Sequence, residues 1–179
     1  MIFVLTGNGK GKTTGAIGMG VRAAGAGKKV LMVQFLKAGG YSEEKTIANF
    51  ANFQVQSFGR SCFVKVKGTE CLTVQGTRFL EEEDFKLAQE GWEMAKKSIE
   101  QKQCDFLILD EITLAMQYGL LKQEEVLDFL GQHGKDVDVV LTGRDCPQEI
   151  LAIADLVTEM KEIKHPFQQG VKQRKGIEF

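Results

Sequence analysis

Residues 6–14 read Thr6-Gly7-Asn8-Gly9-Lys10-Gly11-Lys12-Thr13-Thr14, directly after an apolar run over residues 2–5 and directly before a helical pattern beginning at Lys12. Strand, glycine-rich loop and helix in that order are the context a phosphate-binding P-loop requires. Glycines let backbone N–H groups turn inward as an anion nest, and the helix adds the positive end of its dipole. Lys12 brings a mobile positive charge to phosphate oxygens. The Thr13 hydroxyl is of the kind that sits on Mg²⁺, an ion that takes few protein ligands and keeps several waters. Counted back from Gly11, the first glycine of the usual G-x-x-x-x-G-K-[ST] pattern falls on Thr6. Gly7 and Gly9 are then left to make the turn, and the loop is expected to hold a triphosphate differently from an ordinary NTPase.

Working outward, further continuous apolar runs lie at Val30–Phe35 and at residues 106–109 and 137–141, with weaker ones at Phe53–Phe58 and 156–160. Runs that do not alternate belong to strands covered on both faces of a parallel sheet. Helical patterns fall between them at residues 12–26, 79–102, 124–131 and 148–154. The class is therefore α/β: a P-loop NTPase-like, doubly wound, mostly parallel sheet with helices on both faces. The 179 residues form a single domain, with an irregular lid-like insertion at 38–80 and a tail at 161–179. Within the insertion only residues 43–50 look helical.

Composition narrows the function. With 23 basic against 24 acidic side chains, the net charge of −1 offers no footprint for nucleic acid. No apolar run is long enough to span a membrane, and the start of the chain lacks the pattern of a signal peptide, so a cytoplasmic domain is expected. Cys62, Cys71, Cys104 and Cys146 are far apart and contain no C-x-x-C pair, which reads as reduced thiols without a metal clip.

Two more strands end in polar tips. Residues 106–111 deliver Asp110 and Glu111 at the carboxyl end of a buried strand, where open α/β sheets bind ligands and where such acids hold Mg²⁺ or its water. Residues 139–144 deliver Arg144, whose planar fork suits a phosphate; the plainer reading is a surface arginine.

Taken together, GNGKGKTT (7–14), VQFLK (33–37), LDEI (109–112), YGLL (118–121), EEV (124–126), LTGR (141–144), ADLVTEM (154–160), KHPF (164–167) and the closing GIEF (176–179) resemble the ATP:corrinoid adenosyltransferases of the CobA/BtuR type. The match runs from residue 3 to the end and is weakest over 38–80. The resemblance implies attack by the Co(I) centre of a reduced corrinoid on the 5′ carbon of ATP, giving a cobalt–carbon bond and free triphosphate, in adenosylcobalamin biosynthesis or salvage. It implies that Gly7, Asn8, Gly9, Lys10, Gly11, Lys12, Thr13 and Thr14 hold ATP. Thr13, Asp110 and Glu111 would serve Mg²⁺ (or Mn²⁺), and Lys12, Glu111 and Arg144 would be the catalytic set. A homodimer and a flavoprotein electron donor are the implied partners.

On the corrinoid side the family uses aromatics from a Gly-Phe-Thr-Trp-like loop, which this sequence lacks. Phe58 and Phe63 stand at the matching place and are the candidates, against the plainer reading of two core phenylalanines. Trp92, the only tryptophan, lies on the apolar stripe of a helical pattern and reads as core. The basic residues Lys161, Lys164, Lys172, Arg174 and Lys175 form either a solvated face or a tail that meets triphosphate. Two other functions compete: a P-loop ATPase or small-molecule kinase cleaving at the γ-phosphate, and a nucleotide-dependent corrinoid-binding module.

Overall fold

The computed structural model describes residues 1–60, 63–64, 77–78, 80–171 and 174–177. Six strands form one parallel sheet: β1 (Ile2–Thr6), β2 (Val30–Phe35), β3 (Phe53–Phe58), β6 (Phe106–Asp110), β7 (Asp138–Thr142) and β8 (Leu156–Glu159). Their order is β3-β2-β6-β7-β1-β8, and every neighbouring pair is parallel. Two-residue strands β4 (Phe63–Val64) and β5 (Thr77–Arg78) make a separate parallel pair within the insertion. All six residues of β2 and all five of β6 are buried, as a strand between two helical layers requires.

Helix α1 (Lys12–Gly25) covers one face with α2 (Ser42–Ile47), over a core that includes Leu5, Ala16, Met32, Phe53, Ile108 and Val140. The longer α3 (Glu82–Glu100), α4 (Ile112–Gln117), α5 (Gln123–His133) and α6 (Gln148–Ile153) lie on the other, around Val33, Phe35, Trp92, Leu107, Leu109 and Leu141. Glycines inside α1 cost helix propensity, about 1 kcal/mol each. At Gly20 that cost is offset by close approach, because a Cβ there would stand 2.7 Å from the Phe53 ring and 3.0 Å from Ile108. Trp92 is core, as its place on the helical stripe predicts. It meets Phe129 edge-on at 5.4 Å and donates its indole N–H to Glu125 Oε1 at 2.8 Å. Truncating such a side chain typically costs about 3–5 kcal/mol.

The predicted helices hold with shifted ends, and one is added. α3 begins at Glu82, not residue 79, because Glu81 and Asp84 form a capping box and the first turn is acidic. α4 follows Glu111 without warning from the sequence. The helix over 43–50 shortens to α2. Cys104 and Cys146 are free and buried, and burial pushes the Cys146 thiol up to about 11. Cys62 and Cys71 lie outside the described residues. Among the described residues no helix is long and apolar enough to cross a membrane.

Candidate functional site

All six sheet strands run the same way, so their carboxyl ends gather the loops after β1, β2, β6 and β7 along one edge. The loop from Gly7 to Gly11 lies in this row, pressed against the end of β8. Gly9 N–H donates to Met160 O at 2.6 Å, and Met160 N–H donates to Thr6 O at 2.8 Å. A Cβ on either Gly7 or Gly9 would come within 2.6 Å of that Met160 oxygen. The turn itself is made by Gly7 (φ 95°) and Gly11 (φ 117°), the left-handed residue that caps α1. Gly9, expected to share the turn, has no positive φ and serves close approach. Lys12 is buried and its ammonium donates to the carbonyls of Gly7 (2.6 Å) and Gly9 (2.7 Å). Burial lowers its pKa, an effect opposed by Glu111 and reinforced by Arg144. Asn8, Lys10 and Thr14 are exposed, and Lys10 Nζ donates to Ile177 O at 2.8 Å, so the tail reaches the loop.

Asp110 is the hub of the edge. It is 0% exposed and accepts from Thr13 Oγ1 (2.9 Å) and Thr142 Oγ1 (2.7 Å) on one oxygen. Its other oxygen accepts from Gln34 Nε2 (3.1 Å) and Lys37 Nζ (2.5 Å). Four donors from α1, β2 and its exit, and β7 thus converge on one carboxylate. Ser57 extends the network by donating to Gln34 Oε1 at 3.0 Å. A buried charge held this way is satisfied, and removing any one donor leaves unpaired capacity in a dry place.

Glu111 follows in the left-handed region, φ 61°. Its N–H donates to Thr142 Oγ1 at 2.9 Å, which fixes the turn from β6 into α4. Its Oε2 is buried and has no hydrogen-bond partner among the described residues. Burial first, and then Asp110 beside it, push its carboxyl above the usual range, partly offset by Lys37, Lys12 and Arg144. Leu36 (φ 61°) and Asp145 (φ 49°) share the left-handed conformation at the exits of β2 and β7. Such backbone costs about 1–2 kcal/mol per non-glycine residue and gathers where a site fixes its geometry.

The expected residues therefore come together: Lys12, Thr13, Asp110 and Glu111 within one hydrogen-bonded and electrostatic cluster. Arg144 stands beside them, exposed, with its carbonyl accepting from Thr113 Oγ1 at 2.8 Å and its charge felt by both Lys12 and Glu111. Phe58 sits at the same edge, half-buried, packed against the α3-side core with its ring under Gly91. That placement matches the plainer reading of a core phenylalanine more closely than a ligand-facing one. Only the backbone of Phe63 is described, so its candidate role lies outside the described side chains, as does Lys172. Gln34, Lys37, Thr142 and Met160 were given no role from the sequence. A buried glutamine in an otherwise apolar strand was the available signal for the first of them.

Comparison with known proteins places these features in a family setting. A family model described as ATP:corrinoid adenosyltransferase BtuR/CobO/CobP matches residues 1–179. The chain is 36% identical over 181 residues to a corrinoid adenosyltransferase of Escherichia coli (strain K12), covering all of this chain and 85% of the relative. It is 35% identical over 182 residues to a corrinoid adenosyltransferase of Sinorhizobium sp, covering all of this chain and 80% of that protein. It is 34% identical over 181 residues to the corrinoid adenosyltransferase CobA of Salmonella typhimurium (strain LT2), again over the whole chain and 85% of the relative.

Proposed function

This chain belongs to the ATP:corrinoid adenosyltransferase family, and on that footing we propose how its own residues carry out the transfer of a 5′-deoxyadenosyl group. The Co(I) centre of a reduced corrinoid, as substrate, gives its electron pair to C5′ of ATP. The C5′–O5′ bond breaks, and triphosphate leaves with the bonding pair. The product is an alkylcobalt corrinoid, as adenosylcobalamin synthesis requires.

The chemistry needs a held leaving group and no proton abstraction, and one observation carries the reading: both oxygens of Asp110 are already engaged by four donors. A carboxylate so engaged positions its neighbours and is a poor general base. In a γ-cleaving enzyme a group must orient or deprotonate the attacking nucleophile. On this reading the Gly7–Gly11 loop holds the triphosphate, and the Lys12 ammonium and the Arg144 guanidinium stabilise its charge as it departs. Asn8 and Lys10, exposed on the same loop, and Thr14, exposed in the first turn of α1, complete the set proposed to hold ATP.

The residues also fit a magnesium ion (or manganese). The orphaned Glu111 Oε2 needs a partner, and together with Asp110 and the Thr13 hydroxyl it would offer Mg²⁺ the few hard oxygen ligands that ion takes. Among the described residues no three His, Cys, Asp or Glu side chains gather, so the set is hydroxyl plus two carboxylates, which suits a hard ion. Bound there with ATP, the ion would neutralise triphosphate charge. A homodimer, a flavoprotein electron donor and a cytoplasmic setting complete the proposal, on the family resemblance alone.

Phosphorus NMR of a reaction with Mg-ATP and chemically reduced corrinoid tests this directly. Inorganic triphosphate should appear in step with a light-sensitive alkylcobalt spectrum and disappear in Lys12→Ala. ADP and phosphate formed without corrinoid would overturn it.

A further inference from the structure

Lys37 lies at the exit of β2, and its ammonium stands against two of the three proposed metal ligands. Nζ is 2.5 Å from Asp110 Oδ2 and 3.1 Å from Thr13 Oγ1. These are the hydroxyl and one of the carboxylates of the magnesium set. The side chain is only 16% exposed, and its backbone is held on two sides. Leu36, in the left-handed region, donates its N–H to Phe58 O at 3.1 Å. Gly59 lies so close to Leu36 and to Lys37 N that no side chain fits between them. The exits of β2 and β3 are thus locked together in a way that aims the lysine into the site.

Resting on the metal site assigned above, we propose that Lys37 is the built-in counter-ion of that site, and that a divalent ion enters only by exchanging with its ammonium. A tethered ammonium that holds the Thr13 oxygen and neutralises Asp110 competes with a divalent ion for both. Free Mg²⁺ must therefore displace a charge that cannot diffuse away, which weakens its binding when no nucleotide is present. With ATP, the phosphates bring added negative charge, so the displaced ammonium gains a new partner and the exchange becomes favourable. Nζ also stands 5.5 Å from the centroid of the Tyr41 ring, a cation–π partner on its other side. Lys37 is on this account a positioning residue: it keeps Asp110 satisfied between turnovers and makes metal entry depend on nucleotide.

The test is Mn²⁺ binding, by EPR of free Mn²⁺, to the nucleotide-free protein and its Lys37→Met, Lys37→Gln and Lys37→Arg variants. Lys37→Met and Lys37→Gln should bind Mn²⁺ at least tenfold more tightly than the parent, while Lys37→Arg stays as weak. Millimolar Mg²⁺ alone should raise the melting temperature of the two neutral variants and leave that of the parent unchanged. This second readout serves even where losing the ammonium destabilises the fold. Unchanged or weaker Mn²⁺ affinity in both neutral variants, with melting insensitive to Mg²⁺, overturns the proposal. The metal site itself is tested separately: Mn²⁺ held by the parent with a non-hydrolysable ATP analogue should be lost in Glu111→Gln. Retention there would refute the magnesium assignment, whatever Lys37 does.

Discussion

Replacing Gly9 by alanine should separate fold from function. Gly9 has no positive φ, so its backbone accepts alanine and the effect is one of space. The new Cβ would stand 2.6 Å from Met160 O and 2.9 Å from Lys161 C, where ordinary contact begins at 3.4 Å. Loop and strand must then part by about 0.8 Å, the difference between those distances. The 2.6 Å hydrogen bond between Gly9 N–H and Met160 O is stretched to about 3.4 Å, past the usual range, and is weakened. If β8 held firm, the cost would be about 1 kcal/mol for the bond and about 1–3 for overpacking. All four residues of β8 are exposed, so the strand yields and the lower end applies, about 2 kcal/mol. For a chain of this size that lowers the melting temperature by about 4–8 °C. The displaced nest matters more, because a misplacement near 1 Å at a reacting centre costs about 100-fold in rate. Thermal unfolding and kcat/KM for ATP are the paired measurements. Gly18→Ala, with open space around the new methyl group, is the control and should gain about 0.5–1 kcal/mol with unchanged kinetics. Parent-like melting and kcat/KM in Gly9→Ala would refute the reasoning.

Thr142→Val removes a hydroxyl that donates to Asp110 Oδ1 and accepts from Glu111 N–H. We expect a loss of about 2–3 kcal/mol in urea unfolding and at least tenfold in kcat/KM, largely restored by Thr142→Ser. Gly20→Ala forces a methyl group into the Phe53 ring and should cost about 1–3 kcal/mol while the KM for ATP stays within twofold. Glu125 accepts from Lys96 and Trp92, and the Lys96 hydrogen bond holds its carboxyl below the usual range despite partial burial. Its folded pKa is depressed, so the stability it contributes is present above the unfolded value and lost as pH falls through the folded one. Trp92 fluorescence, from the only tryptophan, should therefore titrate below the ordinary glutamate range of about 4.3 and lose that transition in Glu125→Gln.

The buried strands were legible because two-sided burial leaves continuous apolar runs, and β2, β6 and β7 appear where those runs lie. β3 was weaker because it is an edge strand, and its FQVQSF sets the exposed Gln54 and Gln56 between Phe53, Val55 and Ser57. α4 was missed because its six residues follow directly on a left-handed glutamate, and no cap or polar break marks its start. In the site, the loop, Asp110 and Glu111 were legible since their chemistry is local to one strand and one turn. Lys37 and Gln34 were not, because their meaning depends on β2 lying beside β6. That neighbour relation joins residues more than 70 positions apart, and no local pattern encodes it. Met160 was hidden for the same reason: only the pairing of β8 with β1 brings its carbonyl to Gly9.

The Gly7–Gly11 loop leans on the strand with the least support. β8 is the outermost of the six and, among the described residues, is bonded to β1 alone, with Leu156 and Val157 nearly half exposed. Strands of this kind open locally at free energies well below that of global unfolding. The stiffness of the cradle is thus borrowed from an element that opens often, and any ligand that braces the loop must brace that strand in return. Amide hydrogens of residues 157–160 should then exchange faster than those of β6 in the free protein. They should also be the backbone groups outside the loop whose exchange slows most when ATP binds, so that part of the binding free energy is spent on ordering the edge of the sheet.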